Sequence, residues 1–132
     1  MKKILIIDDE VAFTDLMRMN LEKTGDFEVR VENHSNLALR AAREFEPDVI
    51  LLDIVMPGMD GGDVSARFRA HPSLKDTPII IISALVANNE TSDDAVAMSG
   101  EQIIVAKPVR MEKLRASIEF ALRQAAGEST QA

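Results

Sequence analysis

Four stretches of this chain are continuous aliphatic runs, and each stops abruptly at a polar side chain. Ile4 to Ile7 runs into Asp8-Asp9, and Val49 to Leu52 into Asp53. Ile79 to Ile82 runs into Ser83, and Ile103 to Ala106 into Lys107-Pro108. Runs without alternation have no solvated face, so they predict strands buried on both sides, as in a parallel sheet. Parallel neighbours require crossovers, and the sequence between the runs carries apolar residues at helical spacing.

The first predicted helix runs from about Glu10 to Lys23, with Phe13, Leu16, Met17 and Leu21 inward and Gly25 as its stop. Phe27 to Val31 alternates apolar and polar residues, which predicts an edge strand with one exposed face. Ser35 or Asn36 caps the next helix, whose stripe is Leu37, Ala38, Ala41, Ala42 and Phe45. Pro47 ends it. Met56 to Gly62 is a loop by composition, and a short helix follows over about Asp63 to Ala70. Pro78 opens the fourth strand. Asn88 to Ser92 offers caps for a fourth helix reaching about Ser99, and a fifth strand begins near Gln102. The last helix spans about Met111 to Ala125, with Met111, Leu114, Ile118, Ala121, Leu122 and Ala125 toward the sheet. The pattern is five βα units with right-handed crossovers. With the second strand at an edge, the expected class is α/β, a flavodoxin-like (βα)5 doubly wound sheet of order 2-1-3-4-5.

A chain of 132 residues suits one domain, expected over 1–126 with a flexible tail at 127–132. No Cys is present, which excludes disulfides and Cys-ligated zinc. The net charge of -7 argues against direct nucleic-acid binding and against anionic membranes. Lys2-Lys3 followed by a four-residue apolar run is too short for a secretory signal, and no stretch approaches the ~20 apolar residues of a membrane span. A cytoplasmic protein is expected.

Ligands of open α/β sheets sit at the carboxyl ends of the strands. There Asp8, Asp9 and Asp53 converge with Ser83 and Lys107. Two carboxylates about 4 Å apart repel by roughly 4 kcal/mol at an effective dielectric of 20. Lys107 supplies one compensating charge, and a divalent cation supplies the rest. With oxygen donors and no nearby His or Cys, Mg2+ is the natural ion, and Mn2+ can substitute. A carboxylate beside such an ion can attack phosphorus and form an aspartyl-phosphate. A Ser83 hydroxyl bonded to the phosphoryl group exists as a contact in one state alone, which is what a switch requires.

Asp8-Asp9-Glu10, Asp53-x-x-Met56-Pro57-Gly58-Met59-Asp60-Gly61, Ser83-Ala84 and Lys107-Pro108 resemble the motifs of the receiver domains of two-component response regulators. The resemblance covers about Lys2 to Ala125. It implies that Asp53 is the phosphoacceptor, charged by a phosphohistidine of a sensor histidine kinase or phosphotransfer protein. It implies that Asp9, Asp53 and the backbone carbonyl of Val55 ligate Mg2+, with Asp8 in the outer shell. Lys107 would pair with Asp53 or its phosphoryl group, Ser83 would be the switch hydroxyl, and Pro108 would follow a cis bond. The output would pass through the surface of the fourth helix, fifth strand and fifth helix, to an effector, a relay kinase or a second copy in a homodimer. With no output domain after the last helix, a protein contact is the expected output.

Two departures stand out. Ile104 occupies the place where many receivers carry a switching aromatic, and Ser83 replaces the commoner Thr. Glu10 reads as a first-turn helix residue and not as a ligand. Val55 and Leu85 border the expected site and cannot hydrogen-bond an attacking water, which predicts a long-lived phosphorylated state. His34 and His71 read as surface residues. The competing readings are an aspartate-nucleophile phosphatase, opposed by Val55 in place of an acid/base Asp, and a flavin module, opposed by the acidic first turn. A phosphorylation-independent, receiver-like interaction module is the remaining alternative. The chain is expected to be a signalling domain and not an enzyme acting on external substrates.

Overall fold

The computed structural model describes residues 1–53, 61–83, 98–99 and 102–127. The strands are β1 (Lys2–Ile7), β2 (Phe27–Glu32), β3 (Val49–Asp53), β4 (Ile79–Ser83), β5 (Met98–Ser99) and β6 (Gln102–Ala106). The helices are α1 (Val11–Glu22), α2 (Ala38–Phe45), α3 (Gly61–Ala70) and α4 (Met111–Ala125), with a short 3-10 turn over Ser35–Leu37. The sheet order is β2-β1-β3-β4-β6-β5. Its first five strands are parallel and give the flavodoxin-like order expected from the sequence.

Alternation along each strand divides the core into two layers. Ile4, Ile6, Leu51, Ile80, Ile82 and Val105 pack with Met17 and Leu21 of α1 and Leu114 and Ile118 of α4. Leu5, Ile7, Ile50, Leu52, Ile79 and Ile81 pack on the other face with Ala41 and Ala42 of α2 and Val64 and Phe68 of α3. This is why the central runs show no polar alternation: both faces are covered. Among the described residues β2 pairs with β1 alone, and Glu28 is its exposed outward residue.

Several local expectations are corrected. Met98–Ser99 is not the end of a helix but a two-residue strand, antiparallel to β6 through Met98 with Ile103 and Ser99 with Gln102. Two residues paired beside β6 gain ladder hydrogen bonds that a frayed helix end lacks. The remainder of the expected fourth helix lies outside the described residues. Leu16 is 57% exposed and does not share the inward stripe of α1. Leu37 is 39% exposed in the 3-10 turn, and Ala125 is exposed on α4. Lys113 and Ser117 of α4 are buried instead. α2 closes with Glu46 in the left-handed region at φ 53, its N–H donating to the Ala42 carbonyl ahead of Pro47.

The register sets the strand ends side by side. Ile7 pairs with Leu52, Asp53 with Ile82, and Ser83 with Ala106. The Lys107 N–H continues that last ladder by donating to the Ser83 carbonyl at 2.9 Å. Asp8, Asp53, Ser83 and Lys107 therefore arrive at one sheet edge.

Candidate functional site

Asp8 leaves β1 almost fully enclosed, and Asp53 and Ser83 are buried at the ends of β3 and β4. The Asp8 backbone is fastened from two sides. Its N–H donates to the Glu32 carbonyl at 3.2 Å, and its carbonyl accepts from Asn33 Nδ2 at 2.8 Å. Asn33 also donates to Thr14 Oγ1 at 3.0 Å, which ties the end of β2 to α1. Asp8 Oδ1 accepts the Glu10 N–H at 2.9 Å.

Lys107 Nζ lies 2.9 Å from Asp8 Oδ2, 2.8 Å from Glu10 Oε1 and 3.5 Å from Asp53 Oδ2. The ring of Phe13 supports the same ammonium, its centroid 4.6 Å from Nζ. Burial alone would push the Lys107 pKa down. The hydrogen bonds to Glu10 and Asp8 and the negative fields of Asp8 and Asp53 outweigh it and hold the ammonium charged far into the alkaline range. Asp8 is also shifted upward, which for a carboxylate disfavours the charged form. Burial raises its pKa above the usual value, aided by the charge of Asp53, against the lowering pull of the Glu10 N–H and Lys107.

Oxygens of Asp8, Glu10 and Asp53 all lie within 4.8 Å of one another. Three carboxylates with one ammonium leave an uncompensated negative charge, and the donors are oxygen alone. That donor set fits a hard divalent cation such as Mg2+ or Mn2+.

The structure brings together Asp8, Asp53, Ser83 and Lys107. Asp9 is exposed, and its carboxylate is not in the group of three. Glu10 takes that place. The chain is extended here, with Glu10 at φ -85 and ψ 99, so side chains at i and i+2 share a side while the one between points away. Asp8 and Glu10 thus face Lys107 together, and this alternation was the signal by which Glu10 could have been found. Phe13 and Asn33 were also missed as site residues. Asn33 directly follows β2 on the carboxyl edge and had a positional signal. Phe13 looked like an ordinary core residue. The Lys107–Pro108 peptide bond is cis. Ile104, partly buried, packs on the core layer of α2 and α3. Val55 and Leu85 lie outside the described residues.

Comparison with known proteins agrees in family and fold. Residues 4–119 match the family model of the response regulator receiver domain. The chain is 34% identical over 126 residues to the DNA-binding dual master transcriptional regulator RpaA of Synechocystis, covering 94% of this chain and 50% of that protein. It is 35% identical over 131 residues to the transcriptional regulatory protein AfsQ1 of Streptomyces coelicolor, covering 98% of this chain and 55% of that one. The chain spans about half the length of these curated relatives. The chemotaxis protein CheY4 of Vibrio cholerae superposes with a TM-score of 0.77 at 23% identity, covering 92% of this chain and 99% of that one. Motifs on the strand ends, the parallel order of the five strands and the extent of the family match converge, and the chain belongs to the response regulator receiver domain family.

Proposed function

We propose that the chain is a Mg2+-dependent phosphoryl switch whose acceptor is Asp53. The observation that carries this reading is the placement of Asp53 at a buried strand end, 3.5 Å from Lys107 and grouped with Asp8 and Glu10, in a chain of the receiver family. An Asp53 carboxylate oxygen attacks the phosphorus of a phosphohistidine on a sensor kinase or phosphotransfer protein. The new P–O bond forms as the P–N bond breaks, and the electron pair leaves on the imidazole nitrogen, which takes up a proton. Hydrolysis of the acyl phosphate later returns the carboxylate and inorganic phosphate. Lys107 neutralises part of the charge on the phosphoryl oxygens, and Ser83 donates its hydroxyl to one of them. Asp9, Asp53 and the Val55 carbonyl would hold the metal, with Asp8 in the outer shell and Glu10 beside them, and the ion would supply positive charge against the phosphoryl group.

The contact between Ser83 and the phosphoryl group shifts the following loop and changes the surface of β6, α4 and the expected fourth helix. That surface binds the downstream partner: an effector, a relay protein or a second copy of the chain. We infer a cytoplasmic location as well, because the phosphohistidine donor is charged from ATP there. The test of the switch is hydrogen exchange with and without Mg2+ and beryllofluoride, a mimic of the phosphoryl group. Changed protection in β6 and α4 for wild type, absent for Asp53→Asn, is the expected result. Unchanged protection in wild type would favour the alternative of a phosphorylation-independent interaction module, the reading that Ile104 suggests by withholding an aromatic relay.

A further inference from the structure

Lys107 is drawn toward α1 by two groups of the same short segment. Glu10 Oε1 is 2.8 Å away, and the Phe13 ring, three residues on, lies 4.6 Å below the ammonium. Residues three apart at a helix start share a side, so the two act together. Asp53 is the most distant of the three carboxylates, at 3.5 Å. The ring is itself held, packed on the core layer of α1 and α4. The ammonium is the group that can move. A phosphoryl group on Asp53 adds about one negative charge to the Asp53 side of the contact and competes with the ring for the ammonium.

We propose that Phe13 is a positioning residue that holds Lys107 in a resting place on the α1 side, so that charging of Asp53 must first draw the ammonium off an aromatic face. This rests on Asp53 being the phosphoacceptor. The ring stabilises the resting state alone, so it weakens the response to a phosphoryl group. Such contacts at partly exposed sites amount to about two- to fivefold in an equilibrium constant.

The chain has no Trp or Tyr, and Phe13 is one of five Phe, so ring-current shifts on a lysine are readily assigned. The experiment follows the Lys107 ε-methylene signals by NMR, identified by their loss in Lys107→Arg. In resting wild type they lie upfield of the other lysines. Mg2+ with beryllofluoride returns them to the ordinary position. Phe13→Leu abolishes the upfield shift at rest and tightens beryllofluoride binding about two- to fivefold, while Phe13→Tyr restores both properties. Leu keeps the apolar packing and removes only the aromatic face. Signals at the ordinary position in resting wild type would overturn the proposal. So would an upfield shift that persists with beryllofluoride, or unchanged or weaker binding by Phe13→Leu. If wild type binds beryllofluoride but its lysine signals stay still, the positioning role falls and the phosphoacceptor stands. If wild type does not bind it at all, both fall.

Discussion

Replacing Asp8 by Asn removes one of three grouped carboxylates while leaving the acceptor for the Glu10 N–H and two partners for Lys107. Charges within 4.8 Å repel by at least about 3.5 kcal/mol at an effective dielectric of 20. Taking a carboxylate out of water costs several kcal/mol more. Lys107 at 2.9 Å and the Glu10 N–H offset most of this. The raised Asp8 pKa gives the sign of the remainder: the fold disfavours the charge. Asp8→Asn is therefore expected to stabilise the metal-free protein by about 1 kcal/mol near neutral pH, or about 4 °C in Tm for a chain of this size. The pH dependence follows from the same shift. The folded pKa lies above the unfolded value of 3.8, so the wild-type penalty is absent below that value. It grows as pH rises from 3.8 toward the folded pKa and is complete above it. Urea unfolding in EDTA at neutral pH and at about pH 3 tests this, and the advantage of Asn should vanish at the lower pH. Mg2+ should reverse the ranking, since binding at one hundred times Kd adds about 2.7 kcal/mol to the form that binds. An Asn variant less stable at neutral pH without metal, or equally advantaged at both pH values, would refute the reasoning.

Lys107→Gln strips the shared cation from Asp8, Glu10 and Asp53. It should cost roughly 2 kcal/mol in urea unfolding, less than the ~3–5 kcal/mol of a fully buried pair because Glu10 is exposed and screened. Among the described residues the Ser117 hydroxyl is buried without a hydrogen-bond partner. Ser117→Ala should gain about 1 kcal/mol by thermal unfolding, through a relieved polar group and better helix propensity. Val55→Asn with Leu85→Glu should shorten the lifetime of the phosphorylated state, measured as loss of the phosphoryl adduct over time; an unchanged lifetime would dismiss the idea that these apolar neighbours deprive water of a partner.

Much of the fold could be read because its physical causes are local. Short unbroken runs rich in β-branched Ile and bounded by polar breaks favour strands covered on both faces, and strand ends in a parallel sheet share an edge. Asp8, Asp53, Ser83 and Lys107 therefore share the carboxyl edge that their strand-end positions in the sequence predict. The misses depend on geometry between elements. Asp9 and Glu10 are equally acidic, and only the extended backbone after β1 decides that Glu10 turns to Lys107. Phe13 keeps its core contacts while its face meets a lysine ninety-four positions away in sequence, which periodicity cannot register. The α1 stripe was drawn too wide because Leu16 is as apolar as its buried neighbours, yet it faces solvent. β5 escaped because two residues carry no period at all.

The central claim is that Asp53 accepts a phosphoryl group with the help of Mg2+. Intact-mass measurement after incubation with acetyl phosphate, with and without Mg2+, for wild type and Asp53→Asn, addresses it most directly. A single phosphoryl adduct on wild type that requires Mg2+ and is absent from Asp53→Asn is the predicted result. An adduct that persists in Asp53→Asn, or that forms equally well in EDTA, would contradict the account.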